Sequence, residues 1–221
     1  ASGTLIAENR TTIDDFGYPL DMALSPDGIK MAVSYMRVNG NKISTHIAFY
    51  NFGSAGQMEL NNQVGELNVD DVLAPQIFFC DNSTAVAVRT DGFTVFSGSQ
   101  SPKEKKTVKF DQEIISTFHD GNRIGFVFDG GDSGHKYLMK VYNTGGKNTM
   151  QKYFDLQYNS ITLQKDKIVL FNEKEFAIYK LNGQKTFQGK YRKPIQNVLS
   201  IRGFRKYMVI TEDSADLIRL G

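Results

Sequence analysis

Hydrophobic and polar residues alternate with a period of two in short runs along most of the chain. Such runs occupy Pro19–Pro26, Lys30–Met36 and His46–Phe52, and the turn pairs Asp27-Gly28 and Asn39-Gly40 separate them. This pattern is typical of β-strands joined by tight turns. No segment longer than about 10 residues has a convincing helical period. The sequence therefore predicts an all-β protein.

The order of the strands repeats along the chain. In the first unit we predict strands at 19–26, 30–37, 44–52 and 56–64, and three further units have the same four-strand order. A fifth unit contains only three strands before the sequence ends. The units occupy, in order, 18–64, 72–112, 114–155, 158–192 and 195–221.

The length of the repeat can be read from an apolar–aromatic pair near the end of the third strand of each unit. The pairs are Phe49-Tyr50, Val95-Phe96, Val141-Tyr142 and Ile178-Tyr179. The aromatic residues that end these pairs are 46, 46 and 37 residues apart. A four-stranded unit that recurs every ~40–45 residues is typical of a β-propeller blade. We therefore predict one propeller domain over residues 1–221, with about five four-stranded blades.

The two ends of the chain bear on how such a ring closes. The fifth unit lacks its outer strand, and the segment Gly3–Thr12 offers a spare strand before the first unit. These strands fit either a closed ring of five blades or a consecutive slice of a larger propeller. A β-sandwich or a pair of barrels is the alternative, but sandwiches seldom repeat a four-strand unit.

The segment Asp129–His135, "DGGDSGH", resembles the nucleophile loop of trypsin-like proteases. A catalytic Ser133 needs a base and an orienting acid that converge on it. The histidines His46, His119 and His135 follow no hydrolase pattern, and the motif Gly-x-Ser-x-Gly is absent. The glycines supply the positive φ that a wide hairpin needs. We therefore interpret the segment as a turn, and we predict no catalytic residue.

Other polar groups are candidates for ligand or acid–base sites. Asp129 and Asp132 lie close together in sequence, but the spaced acidic ligands of a calcium loop are missing. Carboxylates at Asp111–Glu113 and within Asn68–Val72 serve acid–base chemistry only if they pair across a pocket. His119 ends an inner strand and is a candidate for the central channel. We predict structural roles for these residues and no metal or cofactor.

Composition excludes several classes of site and partner. Cys80 is the only cysteine, so an internal disulfide and a Cys-rich zinc site are impossible, and its apolar surroundings predict an inert thiol. The formal charge of +2 predicts no nucleic-acid or membrane surface. The basic runs Lys103–Lys109 and Lys185–Lys193 are short, and we interpret them as solvated strand edges or loops. No stretch has the ~18–20 apolar residues of a membrane span, and the N-terminus is no signal peptide.

The first part of the chain resembles a known family. Gly3–Gln57, with "GYPLDMALSPDG", "MAVSY" and "IAFYNFG" running into "GQ", is similar to an uncharacterised propeller-like family of Gram-positive Firmicutes surface proteins. The resemblance implies a membrane anchor and earlier blades N-terminal to this segment, and a location outside the cell. It implies no activity and no site residues.

These observations favour a non-catalytic binding or scaffolding propeller outside the cell. It would engage a protein or glycan through a rim or the central channel, and reach a membrane only through an anchor absent from this sequence. The alternative is a hydrolase- or lyase-type enzyme with its site at the channel mouth, and a ligand-free structural stalk is a third possibility. The chain has no Trp, so the Trp-Asp pair of WD40 repeats is absent and the function of those proteins does not transfer.

Overall fold

The protein, described by a computed structural model over residues 13–53, 62–201 and 205–220, is built from antiparallel β-sheets. Four sheets contain four strands and a fifth contains three. Sequential strands are neighbours in every sheet, so each sheet is a meander. Among the described residues, no helix is long and apolar enough to span a membrane.

The elements follow the chain in order. A four-residue helix, α1 (Ile13–Phe16), precedes the first sheet. The first sheet contains β1 (Tyr18–Leu24), β2 (Lys30–Asn39), β3 (Lys42–Asn51) and β4 (Gln63–Asp70). The second contains β5 (Gln76–Phe79), β6 (Thr84–Arg89), β7 (Gly92–Ser97) and β8 (Lys103–Lys109). The third contains β9 (Ser116–Asp120), β10 (Arg123–Asp129), β11 (Tyr137–Asn143) and β12 (Asn148–Phe154), with a short 3-10 turn at Gly131–Ser133. The fourth contains β13 (Ser160–Gln164), β14 (Lys167–Phe171), β15 (Glu175–Lys180) and β16 (Lys185–Lys190), and the fifth contains β17 (Asn197–Ser200), β18 (Lys206–Ile210) and β19 (Ala215–Arg219).

The sheets confirm the predicted all-β class and the four-strand order, with one correction. The fourth strand of the first unit was predicted at 56–64, of which 56–61 lies outside the described residues. The described fourth strand is Gln63–Asp70, so this unit extends beyond the predicted boundary at residue 64. The reason is that β3 is ten residues long and pairs with β4 from Ser44 to Tyr50, which draws the partner strand further along the chain. The predicted spare strand Gly3–Thr12 lies outside the described residues.

A β-bulge lies at each of the four apolar–aromatic pairs. In all four complete sheets the register between the third and fourth strands shifts within that pair, because the fourth strand has one extra residue opposite it. The extra residues are Val64, Lys105, Thr149 and Thr186. The hydroxyls of Thr149 and Thr186 each donate to the main-chain carbonyl of the first residue in the facing pair, at 3.1 Å. The repeat seen in the sequence therefore corresponds to a repeated backbone feature.

The chain divides into two compact units, Ala1–Glu113 with Thr144–Gly146, and Ile114–Asn143 with Lys147–Gly221. In the first unit, the facing sides of the first two sheets form one apolar core. The rings of Phe49 and Phe96 meet there, with centroids 4.9 Å apart. The side chain of Asp21 accepts a hydrogen bond from the main-chain N–H of Ile77 at 2.8 Å, which joins the two inner strands. A single domain with closed or partial ring geometry stays a prediction.

In the second unit, the fourth sheet is apolar on both faces. Ile168 and Leu170 of β14 belong to the core shared with the third sheet. Val169 and Phe171, which alternate with them, belong to the core shared with the fifth sheet. A strand buried on both sides is what face-to-face packing of blades requires.

A buried polar cluster lies on the face of the first sheet opposite the core shared with the second sheet. His46 is 1% exposed, its Nδ1 is 2.7 Å from Oδ1 of Asn68, and its ring contacts the rings of Phe16 and Tyr35. Since Oδ1 is an acceptor, Nδ1 carries the proton and Nε2 is an acceptor. Among the described residues Nε2 has no hydrogen-bond partner, and Oε2 of Glu66 lies 3.9 Å away. Burial lowers the pKa of His46 more than Asn68 and Glu66 raise it.

We expect the substitution Gly125→Ala to destabilise the second unit. Gly125 pairs across the strands with Phe118, and a Cβ at this position would lie 2.0 Å from the Phe118 ring. Because Phe118 is 4% exposed and fixed in the core, the clash should cost about 1–3 kcal/mol in urea denaturation. The double variant Gly125→Ala/Phe118→Leu should lose less than the sum of the two single losses. A Gly125→Ala protein as stable as the parent would contradict this packing.

We also expect stability to fall as the pH is lowered below about 6.5, because the unfolded chain binds protons there that buried histidines do not. Burial lowers the pKa of both His46 and His119 in the folded protein. Their contribution to stability is therefore fully present above the pKa of histidine in the unfolded chain, and it is lost as the pH falls towards the lower pKa of the folded state. Each histidine contributes a slope of up to about 1.4 kcal/mol per pH unit. His46→Gln should reduce that slope and leave the region from pH 7 to about 8.5 flat. An NMR titration in which His46 of the folded protein has a pKa above that of histidine in the unfolded chain would contradict the lowered pKa.

Candidate functional site

The segment Asp129–His135 is the turn that the sequence predicts. Oδ1 of Asp129 accepts a hydrogen bond from the N–H of Gly131 at 2.7 Å, and Gly134 has a φ of 77°. The side-chain oxygen of Ser133 accepts a hydrogen bond from the N–H of His135 at 3.2 Å. In the described part of the chain no hydrogen bond joins this oxygen to the His135 ring. Nδ1 of His135 instead lies 2.9 Å from Oδ2 of Asp155, a partner that the sequence did not indicate.

The other candidates from the sequence are not gathered into one site. Asp111–Glu113 is exposed after β8, and no described contact joins it to Asn68–Val72, which ends β4 and continues to the second sheet. His119 lies in β9, and its position at a central channel stays a prediction. Residues 13–53, 62–201 and 205–220 contain no group of three or more His, Cys, Asp or Glu side chains that could hold a metal ion.

Cys80 follows β5 and is half-buried. Burial, and to a smaller extent the neighbouring Asp81 carboxylate, raises the pKa of its thiol to about 12. The thiol is therefore protonated at neutral pH. Because the thiolate is the reactive form, Cys80 is unreactive under these conditions.

A cleft of about 620 Å³ in the second unit is lined mostly by cationic and polar side chains. We call it the basic cleft. Three turns form it, between β13 and β14, between β15 and β16, and before β18. Its charged lining residues are Lys165, Lys167, Lys180, Lys185, Arg205 and Lys206, together with the single acid Asp166. The hydrogen bond from Lys167 keeps the pKa of Asp166 below its usual value, so this carboxylate is already engaged.

The net charge of the whole chain does not reveal this concentration of positive charge. The unit that contains the basic cleft has 17 Lys and Arg against 10 Asp and Glu, a net charge of +7. The other unit has 9 against 14, a net charge of −5. The total of +2 is therefore the sum of two net charges of opposite sign. A count of charged residues over each half of the sequence would have revealed this difference.

Two residues of the basic cleft have strained backbones. Among the described residues other than glycine, only Asp71, Lys165 and Arg205 have positive φ, at 57°, 59° and 57°. Lys165 lies in the hairpin turn between β13 and β14, and its N–H donates to Oδ2 of Asp120 at 2.6 Å. This region of φ and ψ favours Gly or Asn over a long side chain.

A second cleft, of about 600 Å³, lies beside the outer strands of the third and fourth sheets. We call it the Tyr153 cleft. Its side chains include both signs of charge, an amide and aromatic rings, among them His135, Lys136, Lys152, Tyr153, Asp155, Glu175, Lys185 and Gln188. The His135 ring stacks on the Tyr153 ring, with centroids 5.8 Å apart and an interplanar angle of 21°. Oδ1 of Asp155 accepts the N–H of Lys136 at 3.0 Å, and the hydrogen bond from His135 lowers the pKa of Asp155.

Solved structures with a similar fold are WD40-type β-propellers, which confirms the propeller prediction. A crystal structure of Sqt1 from Chaetomium thermophilum matches 87% of this chain and 55% of its own, with 11% identity and a TM-score of 0.60. A second Sqt1 structure from Chaetomium thermophilum matches 92% and 62%, with 10% identity and a TM-score of 0.60. Hsv2 from Kluyvelomyces marxianus matches 91% and 62%, with 13% identity and a TM-score of 0.51. This chain thus spans 55% to 62% of the length of these structures, and the likeness concerns the fold alone.

At the level of sequence, no curated protein matches the chain. One family model does match, over residues 1–220, and its members are described as a family of unknown function, DUF5711. Because the match covers nearly the whole chain, this protein belongs to the DUF5711 family.

Proposed function

We propose that this protein is a non-catalytic binding module, displayed outside the cell, that holds an anionic partner in the basic cleft. The observation that carries the proposal is the set of six cationic side chains around one cleft, with a single carboxylate among them. Cations on separate turns repel one another, and a bound anion removes that repulsion.

Two of these cations have neutral hydrogen-bond partners. Nζ of Lys180 donates to the Gln184 amide oxygen at 2.9 Å, and Nζ of Lys185 donates to the Gln188 amide oxygen at 2.8 Å. Amide oxygens orient an ammonium group without neutralising it. The cleft is therefore arranged to present charge to a ligand.

The strained backbone supports the same conclusion. A non-glycine residue at positive φ is strained by about 1–2 kcal/mol, and strain of this kind clusters at functional sites such as ligand clamps. Lys165 and Arg205 both have this conformation and both line the basic cleft.

The partner and the location follow from other observations. The resemblance of Gly3–Gln57 to Gram-positive surface proteins supports a position outside the cell. Among the expected partners, a protein or a glycan, the cleft favours one that carries acidic groups. The expectation that no nucleic acid binds stays a prediction.

A hydrolase- or lyase-type activity is the second candidate, and one observation favours it. The His135–Asp155 pair has the geometry of a base with its orienting acid, and both side chains are about half exposed. The side-chain oxygen of Ser133 is occupied by the N–H of His135, so the pair is not joined to a nucleophile within the described residues. The basic cleft thus gives the binding function the stronger support.

We expect the double substitution Lys180→Gln/Lys206→Gln to weaken binding of inorganic tripolyphosphate roughly three- to tenfold, because each exposed cation contributes about 0.2–1 kcal/mol. Isothermal titration calorimetry at low and at physiological salt measures the loss, which should shrink as salt screens the charges. The matched control is Lys103→Gln/Lys105→Gln on the exposed strand β8, which changes the net charge equally. Equal losses in both double variants would show that net charge, and not the cleft, binds the anion.

We expect Lys165→Gly to weaken tripolyphosphate binding without lowering stability. The substitution relieves about 1–2 kcal/mol of strain, which offsets the roughly 0.5–1 kcal/mol that glycine costs in chain entropy. The hydrogen bond from residue 165 to Asp120 uses the main chain, so it persists. Lys174→Gly is the control, since Lys174 is exposed and has no positive φ, and it should lower stability without affecting binding. A Lys165→Gly protein that binds normally would remove Lys165 from the site.

A further inference from the structure

The basic cleft and the Tyr153 cleft share a wall. Lys185 lines both of them, at the start of the outer strand β16. The next residue, Thr186, is the bulge residue of this strand and also lines the basic cleft. A bulge re-aims the side chains around it, which explains how one short segment reaches two neighbouring clefts. A ligand longer than one anionic group can therefore pass from one cleft to the other beside Lys185.

The two clefts differ in chemistry. The Tyr153 cleft is lined by Lys136, Lys152 and Lys185 and by the carboxylates of Asp155 and Glu175, so its net positive charge is much smaller than that of the basic cleft. It presents instead the half-buried Tyr153 ring and the exposed Gln188 amide.

The Tyr153 ring is held in place before any ligand arrives. The His135 ring lies against it, and the Asp155 carboxylate fixes His135 through Nδ1. The loop that carries His135 requires glycine at residue 130, where a Cβ would lie 1.8 Å from the main-chain oxygen of His135. An aromatic face with hydrogen-bonding groups beside it suits an uncharged, hydroxylated ring.

We propose that the ligand is an anionic sugar chain, with phosphate or sulfate esters in the basic cleft and an uncharged sugar against Tyr153. The inference rests on the proposed binding function and specifies its ligand. Lysine ammonium groups bind tetrahedral oxyanions as point charges, whichever of the two esters supplies them.

A single-stranded nucleic acid is the competing ligand, since bases stack on aromatic rings. It has a phosphate at every nucleotide, so a base on Tyr153 brings phosphates beside Asp155 and Glu175. These carboxylates offset most of the charge of the three lysines that line the Tyr153 cleft, so the cleft offers such phosphates little net attraction. A sugar chain with esters on only some of its sugars does not need that attraction.

The test compares ligands with and without a sugar. The probes are inorganic tripolyphosphate, a keratan sulfate hexasaccharide, a mannopentaose with one terminal 6-phosphate, and the oligonucleotide dT6. Tyr153→Ala should weaken binding of the anionic oligosaccharides by on the order of fivefold, and leave tripolyphosphate binding unchanged. Tyr153→Phe retains the ring and should bind as the parent does. Tyr18→Ala, which removes an exposed tyrosine from β1, is the matched control and should have no effect.

The outcomes separate this inference from the proposed function. If tripolyphosphate binding depends on Lys180 and Lys206 but Tyr153→Ala leaves oligosaccharide binding intact, the sugar-chain inference is overturned and the anion site stands. If dT6 binds more tightly than both oligosaccharides and loses that affinity in Tyr153→Ala, a nucleic acid is the ligand. If no probe binds the parent protein, the proposed function fails as well. A response to only one oligosaccharide supports the inference and identifies its ester.

Discussion

The fourth sheet shows the constraint on which the architecture depends. Alternate residues of β14 enter two different cores, Ile168 and Leu170 on one side and Val169 and Phe171 on the other. Burying a large apolar side chain contributes about 1.5–3 kcal/mol, so a sheet with two such faces is stable only when both are covered. Stacking of sheets face to face satisfies this requirement within each unit. The outer strands, with one edge in water, are left free to carry polar residues.

The same packing explains why charged side chains collect at the turns. The inner and middle strands are occupied by apolar contacts, and the fourth strand has a bulge opposite the apolar–aromatic pair of the third. In the fourth sheet the bulge residue is Thr186, next to Lys185, and both lie on the wall of the basic cleft. In the fourth sheet, a backbone feature common to the complete sheets thus lies beside a cationic side chain on the wall of a cleft.

The sequence predicted the repeat because the same local pattern recurs, but it predicted the site poorly because the site is not local. The pairs ending in Tyr50, Phe96, Tyr142 and Tyr179 are contiguous in sequence, so their periodicity was directly readable. The boundary of β4 was misplaced because it depends on pairing with the long strand β3. The cations of the basic cleft come from three turns spread over residues 165 to 206, and only the packing of two sheets brings them together. His135 and Asp155 are likewise 20 residues apart and meet through the pairing of β11 with β12.

We propose that stacked sheets gather dispersed cations into a cleft that binds anions, and amide hydrogen exchange of the unmodified protein is the sharpest test. Saturating tripolyphosphate should slow exchange in residues 164–167, 180–186 and 205–207, the turns that form the basic cleft. The basic strand β8 should exchange at the same rate with and without the ligand. Protection of β8 with no change in the three turns would show that the anion does not bind in the basic cleft.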